Sequence, residues 1–352
     1  MRYKLLPVFV FMIFMPALSF AAEKLIFAVD LIRHGDRTPI ETIPKVDYQW
    51  TQGLGQLTAT GMRQEHELGR QFRKRYIEQT HLLPPHYQHG TMYVRSTDYE
   101  RTLMSAQSLL TGLYPMGTGP YIADSGKPGL PRALQPIPIH TWPREFDNII
   151  LHKINPEERE RLMQKYVYST VEWQKREAAL KMNFQRWSEI TGLRISRLDD
   201  LERLGDTLHI HQLHHAPMPA GMSAEEIQTI METGDWVFMA EERPKEVGNV
   251  YSRRLLSYIA GYLQNGSKQD ERLKYVLLSA HDSTIASALS FMGAPLDTSP
   301  RYASNLNFSL YENGARNYIV KITYNGSPVV IPACGGTVCP LSKFIEISQT
   351  II

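Results

Sequence analysis

The stretch Leu25 to Pro39, LIFAVDLIRHGDRTP, limits the folds open to this chain more than any other. Leu25 to Ile32 is apolar apart from Asp30, a length and composition that suit a strand buried in a parallel sheet better than a helix. The run stops at Arg33-His34-Gly35-Asp36-Arg37-Thr38-Pro39, where Gly35 lets the backbone turn and Pro39 ends regular structure. In open α/β sheets, ligands sit beyond the carboxyl ends of the strands. Two arginines around one imidazole at such a place describe an anion pocket, with phosphate as the anion and a nucleophile inside it. The tripeptide Arg-His-Gly alone would carry little weight; the seven-residue run after a buried strand carries much more.

Two more strand ends fit the same pocket. Met92 to Arg95 reads as a short strand, followed by a helix that Asp98 can cap and that runs to about Leu113, with Arg101 in its first turn. A cation at the positive end of a helix dipole is unfavourable unless an anion compensates it. Arg101 either meets a bound anion or pairs with Asp98 or Glu100. Leu273 to Ser279 is a second buried run, ending in Ala280-His281-Asp282-Ser283-Thr284, with a helix from Ile285 to Met292. Read alone, Asp282 or Ser283 would merely cap that helix and His281 would be a bystander; read with the first two segments, it is a third strand end on one pocket.

The seven residues RHGDRTP resemble the signature of the histidine phosphatase superfamily, and the longer form R-H-G-x-R-x-P resembles its acid phosphatase and phytase branch. Leu57-Thr58-Ala59-Thr60-Gly61-Met62-Arg63-Gln64, the segment from Arg95 to Ala106, and the late pair His281-Asp282 resemble further motifs of that branch. The resemblance implies an α/β fold, a phosphoglycerate mutase-like doubly wound sheet with an inserted α-helical cap. It implies a phosphoric monoester hydrolase acting on small-molecule phosphomonoesters, with neither metal nor other cofactor. His34 would attack phosphorus and form a phosphohistidine. Arg33, Arg37, Arg101 and His281 would hold the phosphate oxygens, and Asp282 would protonate the leaving alcohol. Three arginines should keep His34 neutral in acid, and Asp282 must carry a proton, so an acidic optimum is expected. Three rival readings remain: a phosphoglycerate mutase-like enzyme, a dedicated phytase, and an exported protein that binds a phosphorylated ligand without turnover. The late His-Asp pair argues against the first, and the presence of both nucleophile and acid against the last.

The remainder of the chain sets the context. Charge is balanced, 38 Lys and Arg against 36 Asp and Glu, with no basic run and no zinc-ligand spacing, which excludes a nucleic-acid partner. Residues 1–22 read as a secretory signal: Arg2 and Lys4, an apolar core from Leu5 to Phe14, then Ser19, Ala21 and Ala22, with cleavage after Ala21 or Ala22. The mature chain is then periplasmic or secreted and not embedded in a membrane. About 330 residues remain, which favours two domains or one with a large insertion. The division read here is 23–135 with 250–352 as a discontinuous catalytic domain and 136–249 as the cap. Within the cap, helices are expected over Asn155 to Gly192, Asp199 to Gly205 and Ser223 to Glu242, the last opened by the capping box Ser223-Ala224-Glu225-Glu226. His209, His211, His214 and His215 cluster there without a carboxylate or cysteine at metal-ligand spacing, so they read as exposed or loop histidines with substrate contact open. Cys334 and Cys339 are expected to pair and staple a C-terminal loop. The C-terminal part reads as an antiparallel hairpin with turns at Asn313-Gly314 and Asn325-Gly326. Asp36 is given a structural role, and buried Asp30 is expected to pair with an unspecified base. Relatives often dimerise, so a homodimer stands among the expectations, although no interface stripe marks the sequence.

Overall fold

The computed structural model describes residues 23–151, 153–268, 272–314 and 317–349. The secretory signal read over residues 1–22 lies outside the described residues. The apolar run forms strand β1 (Lys24–Arg33), whose seven last residues are all buried. It pairs in parallel with β4 (Tyr275–Ala280), which pairs in parallel with β2 (Met92–Ser96), and a two-residue β3 (His140–Thr141) extends that edge. On its other side β1 meets β5 (Asn305–Glu312) antiparallel, and β6 (Tyr318–Tyr324) and β7 (Ser327–Pro328) continue the sheet. The order β3-β2-β4-β1-β5-β6-β7, with β8 (Val338–Pro340) on β6, places the ends of β1, β4 and β2 side by side.

Period-two alternation along these strands feeds two cores. Phe27, Val29 and Leu31, with Val276 and Leu278, face α7 (Lys245–Gly266), α8 (Asp282–Phe291) and α9 (Leu341–Gln349). Ala28 and Ile32, with Tyr275 and Leu277, face α1 (Ala59–Arg73) and α2 (Glu100–Leu113). The sheet is thus doubly wound. Between β3 and β4 the chain forms α3 (Pro156–Met163), α4 (Val171–Thr191), α5 (Asp200–Leu213) and α6 (Ala224–Glu242), and then α7. Trp173, Phe184, Trp187, Leu201, Leu204, Leu208, Ile230 and Val237 give this helical insertion its own core. The capping box at Ser223 is present, with reciprocal bonds to Glu226.

Several expectations need correction. The helix after β2 is not capped by Asp98: Tyr99 is the N-cap and gives no side-chain bond, while the hydroxyl of Thr102 turns back to the carbonyls of Thr97 and Tyr99. The helix after β4 starts three residues early, at Asp282. Asp30 forms no direct ion pair among the described residues, and Arg75 acts on it only through space. Tyr76 Oη donates to its Oδ2 (2.6 Å) and Asn305 Nδ2 to its Oδ1 (2.8 Å), and burial pushes its carboxyl up despite nearby Arg75. Neutral donors suffice because the sheet interior favours an acid that can keep its proton. Cys334 and Cys339 are bonded, joining a short turn to β8.

One buried ion pair ties the irregular connection after β3 to the sheet. Arg95 Nη2 lies 2.7 Å from Asp147 Oδ1, with side chains 1% and 0% exposed, and the same oxygen accepts from the amides of Ile149 and Ile150. Asp147→Ala would leave a buried guanidinium without its counter-charge, so a loss of about 3–5 kcal/mol in urea unfolding is expected.

Candidate active site

The sheet delivers three loops to one place. Pairing continues one residue past the strands: the His34 amide donates to the Ala280 carbonyl (3.1 Å) and the Thr97 amide to that of Ser279 (3.0 Å). The loop after β1 then lies against the start of α1. A Cβ on Gly35 would come 2.4 Å from the Gly61 carbonyl oxygen, and one on Gly61 would come 2.2 Å from the Asp36 carbonyl oxygen, so only a glycine pair permits this approach. Polar contacts lock it. The Asp36 amide donates to Gln64 Oε1 (2.8 Å), the Thr58 amide to the Asp36 carbonyl (2.9 Å), the Thr58 hydroxyl to Asp36 Oδ2, and the Gly35 amide to Ser105 Oγ (3.1 Å). Thr58 also caps α1 through the Gly61 amide. The motif from Leu57 to Gln64 is therefore the seat of the loop that carries His34.

Inside this frame, His34 is buried and its Nδ1 lies 2.8 Å from the Gly35 carbonyl oxygen. A carbonyl only accepts, so Nδ1 carries the proton and Nε2 presents a lone pair. Burial, with the charges of Arg33, Arg101, Arg37 and His281, holds the imidazole well below its ordinary range, hence neutral in acid. Arg33 lies over the Tyr302 ring (4.3 Å to the centroid), donates to the Pro300 carbonyl and pairs with Asp282 at 2.6 Å. Arg37 makes a two-pronged bridge to Asp206 at 3.1 Å. Arg101 forms no ion pair among the described residues; its guanidinium sits 4.5 Å above the centre of the Tyr99 ring, and burial and Arg37 pull it down to about 10. His281 Nε2 lies 3.1 Å from Thr97 Oγ1, and its ring meets that of His34 edge-on at 5.7 Å. Burial pushes the Asp282 carboxyl up, but Arg33, Arg37, His281 and the Ser283 amide outweigh it and leave it below the ordinary aspartate range. The structure thus brings His34, Arg33, Arg37, Arg101, His281 and Asp282 together, lining one cleft of about 1380 Å³.

Helices α5 and α6 supply the opposite half of the lining. Glu202, Asp206 and His209 recur along α5, and Gln228, Met231, Asp235, Phe238 and Glu242 along α6. Those spacings place each set on one helical face. Apart from His209, for which substrate contact was left open, the sequence reading missed these residues: only the docking of the two helices over the strand ends makes their faces a wall of the cleft. The cap histidines separate. His211 is buried on α5, against the Pro217 carbonyl (2.7 Å) and Trp50, not exposed on a loop, because this face of α5 packs onto the loop after β1. His214 Nε2 lies 2.9 Å from Asp36 Oδ2, so Asp36 bridges loop and cap. His209 and His215 are exposed.

Comparison with known proteins gives a consistent kinship. A sequence profile described as histidine phosphatase superfamily (branch 2) matches residues 24–199 and 168–325. Human lysosomal acid phosphatase is 30% identical over 347 residues, covering 94% of this chain and 79% of that protein. Bovine prostatic acid phosphatase is 30% identical over 344 residues, covering 94% and 86%. Among solved structures, Hafnia alvei phytase in complex with myo-inositol hexakis sulphate has a TM-score of 0.66 at 16% identity, over 93% of this chain and 96% of that one. The Citrobacter braakii phytase has a TM-score of 0.66 at 16% identity, over 93% and 97%. At these identities the two structures share the fold.

The glycine contact makes the site sensitive to a single methyl group. Gly61→Ala is expected to lower stability by about 1–3 kcal/mol through overpacking, read as a drop in Tm, and to reduce kcat more than a surface change of equal stability cost.

Proposed function

Because the chain belongs to the histidine phosphatase superfamily, branch 2, and is an acid phosphatase, we propose that it hydrolyses phosphomonoesters through a phosphohistidine on His34. The observation that carries this reading is the His34 tautomer: Nδ1–H is fixed on the Gly35 carbonyl and Nε2 is free to attack, within a pocket of three arginines. Nε2 forms a bond to phosphorus in line with the ester oxygen, and the P–O bond breaks. Phosphoryl transfer needs chiefly positioning and neutralisation of the equatorial oxygens. Arg101, without an ion pair among the described residues, supplies the first fork; Arg33, Arg37 and His281 complete the seat. Asp282 gives its proton to the departing alkoxide. In the second step its carboxylate takes a proton from water as the water oxygen attacks phosphorus. The P–N bond breaks, His34 returns to its starting form, and phosphate leaves.

The Asp282 proton needs a source, since Arg33 keeps the ligand-free carboxyl ionised. Substrate provides it. A phosphate monoanion brings one proton, and its negative charge on Arg33 removes the field that held Asp282 low. The reaction therefore requires one proton shared between phosphate and Asp282, and it fails as the phosphate becomes a dianion above about pH 6.

No helix among the described residues is long and apolar enough to cross a membrane. We further propose export through the signal at residues 1–22, with a periplasmic or secreted mature chain starting at Ala22 or Glu23, and a cap over 136–249 closing a catalytic domain of 23–135 and 250–352.

The test is release of phosphate from an aryl phosphate between pH 4 and 9, with and without a chelator. The expected outcome is chelator-resistant turnover, with the acid limb of kcat/KM falling below pH 6.5, the ordinary imidazole value, because burial and three cations hold His34 neutral. A maximum above neutral pH would remove Asp282 from its role. His34→Ala should lose on the order of 10³-fold or more in kcat. Alkaline quench of the wild type during turnover of a substrate labelled in its phosphate should trap label on His34, because a phosphorus–imidazole bond survives base and is lost in acid, and unlabelled His34 would defeat the covalent route.

A further inference from the structure

The cleft is not uniformly basic. Three arginines gather at the strand ends, whereas on the cap wall carboxyls outnumber the cations Arg159 and Arg203. Four of the charges are already balanced: Arg33 by Asp282, Arg37 by Asp206, Arg159 by Glu241, and Asp36 by His214 where that ring is protonated. Of the cap-wall carboxyls without an ion pair among the described residues, two stand out. Glu242, at the end of α6, is 7% exposed and lines the cleft, and its Oε2 has no hydrogen-bond partner among the described residues. Glu202, one turn before Asp206 on α5, lines the cleft beside it. Both carboxyls are pushed up, Glu202 to about 8. Burial is the largest cause, and each is next raised by Glu241 and then by other carboxylates, among them Asp282, with only Arg159 acting against. The facing groups are thus Glu241 on α6, Asp206 on α5, Asp282 on α8, Tyr251 on α7 and Arg159 on α3.

Pushed up in this way, the two acids favour their protonated form in the ligand-free cleft, and Glu242 Oε2 stays buried with no partner among the described residues; a cation docked between them would offset the like-charge repulsion, release those protons to solvent and supply the missing donors. Arg159 cannot serve, being held by Glu241 and reaching Glu242 only through space. The group that fits carries several N–H donors and positive charge, and it must belong to the half of the substrate that leaves. We propose that Glu202 and Glu242 form a cation subsite on the cap wall, and that the preferred substrates are phosphomonoesters whose alcohol bears a primary ammonium.

An ammonium offers three donors and no acceptor, enough to bridge both carboxyls while the phosphate end occupies Arg101. A substrate crowded with phosphates would instead bring anions against Glu202 and Glu242. The subsite therefore sorts leaving groups, and it separates this cleft from one made for inositol polyphosphates. The inference rests on the proposed phosphatase reading and deepens it.

The experiment is a matched series: 2-aminoethyl through 6-aminohexyl phosphate, each against the n-alkyl phosphate of the same length, with wild type, Glu202→Gln, Glu242→Gln and the double variant. The wild type should favour at least one amine over its alkyl partner by tenfold or more in kcat/KM. In the double variant that ratio should fall to within twofold of unity, with the loss carried by KM. A wild-type ratio within twofold of unity at every length overturns the subsite, and so does a preference that survives in the double variant. If the glutamine variants fail to fold, the wild-type series alone still decides. Failure to hydrolyse any of the compounds, or an aryl phosphate, would instead sink the phosphatase reading, so the two failures are distinguishable.

Discussion

Three guanidinium groups crowded around one buried imidazole repel each other, and much of this molecule is arranged to make that crowding tolerable. Arg33 is held by Asp282 from the start of α8, and Arg37 by Asp206 from α5. Among the described residues Arg101 has no ion pair, and its guanidinium lies over the face of Tyr99. A cation over a ring contributes about 0.5–2 kcal/mol, less than a desolvated ion pair would, so Arg101 is the group with most to gain from an incoming anion. The same field keeps His34 unprotonated. One electrostatic constraint thus prepares the nucleophile and leaves a place for the phosphate.

The backbone that bears this charge is stiffened by packing rather than by charge. Gly35 and Gly61 bring the loop and the first turn of α1 into van der Waals contact, and Asp36, Thr58 and Gln64 bond across that contact. The amides of His34 and Thr97 continue the ladder of the sheet, so two of the three loops leave their strands with no slack. Catalysis by positioning needs such rigidity, because an ångström of play in the nucleophile forfeits much of the advantage.

How much was legible in the sequence follows from the kind of signal each element leaves. β1 and β4 are short apolar runs ending in functional residues, and both are where the sequence places them. Ser223 with Glu226 fixed the start of α6, because a capping box is a local bond pattern. α7 went unread although Val247, Tyr251, Leu255, Ile259 and Leu263 mark its buried face at helical spacing; attention to motifs passed over a helix that has none. Asp98 misled because hydroxyls at Thr97 and Thr102 took over the turn where a carboxylate cap was expected. Asp206, Glu202 and Glu242 were invisible for a different reason. Their importance comes from tertiary docking of α5 and α6 over the strand ends, which no local pattern encodes.

The bridge from Arg37 to Asp206 joins the sheet's signature loop to the helical insertion, and the contact of Asp36 with His214 repeats that join two helical turns later. Part of the anion seat is thereby wired to the helical insertion. The insertion is consequently not a detachable module. A graft that imported another protein's helices to change substrate choice would have to carry an acid to the place of Asp206, or it would release Arg37 into the pocket. Diversification of the cap is constrained to run around that one carboxylate.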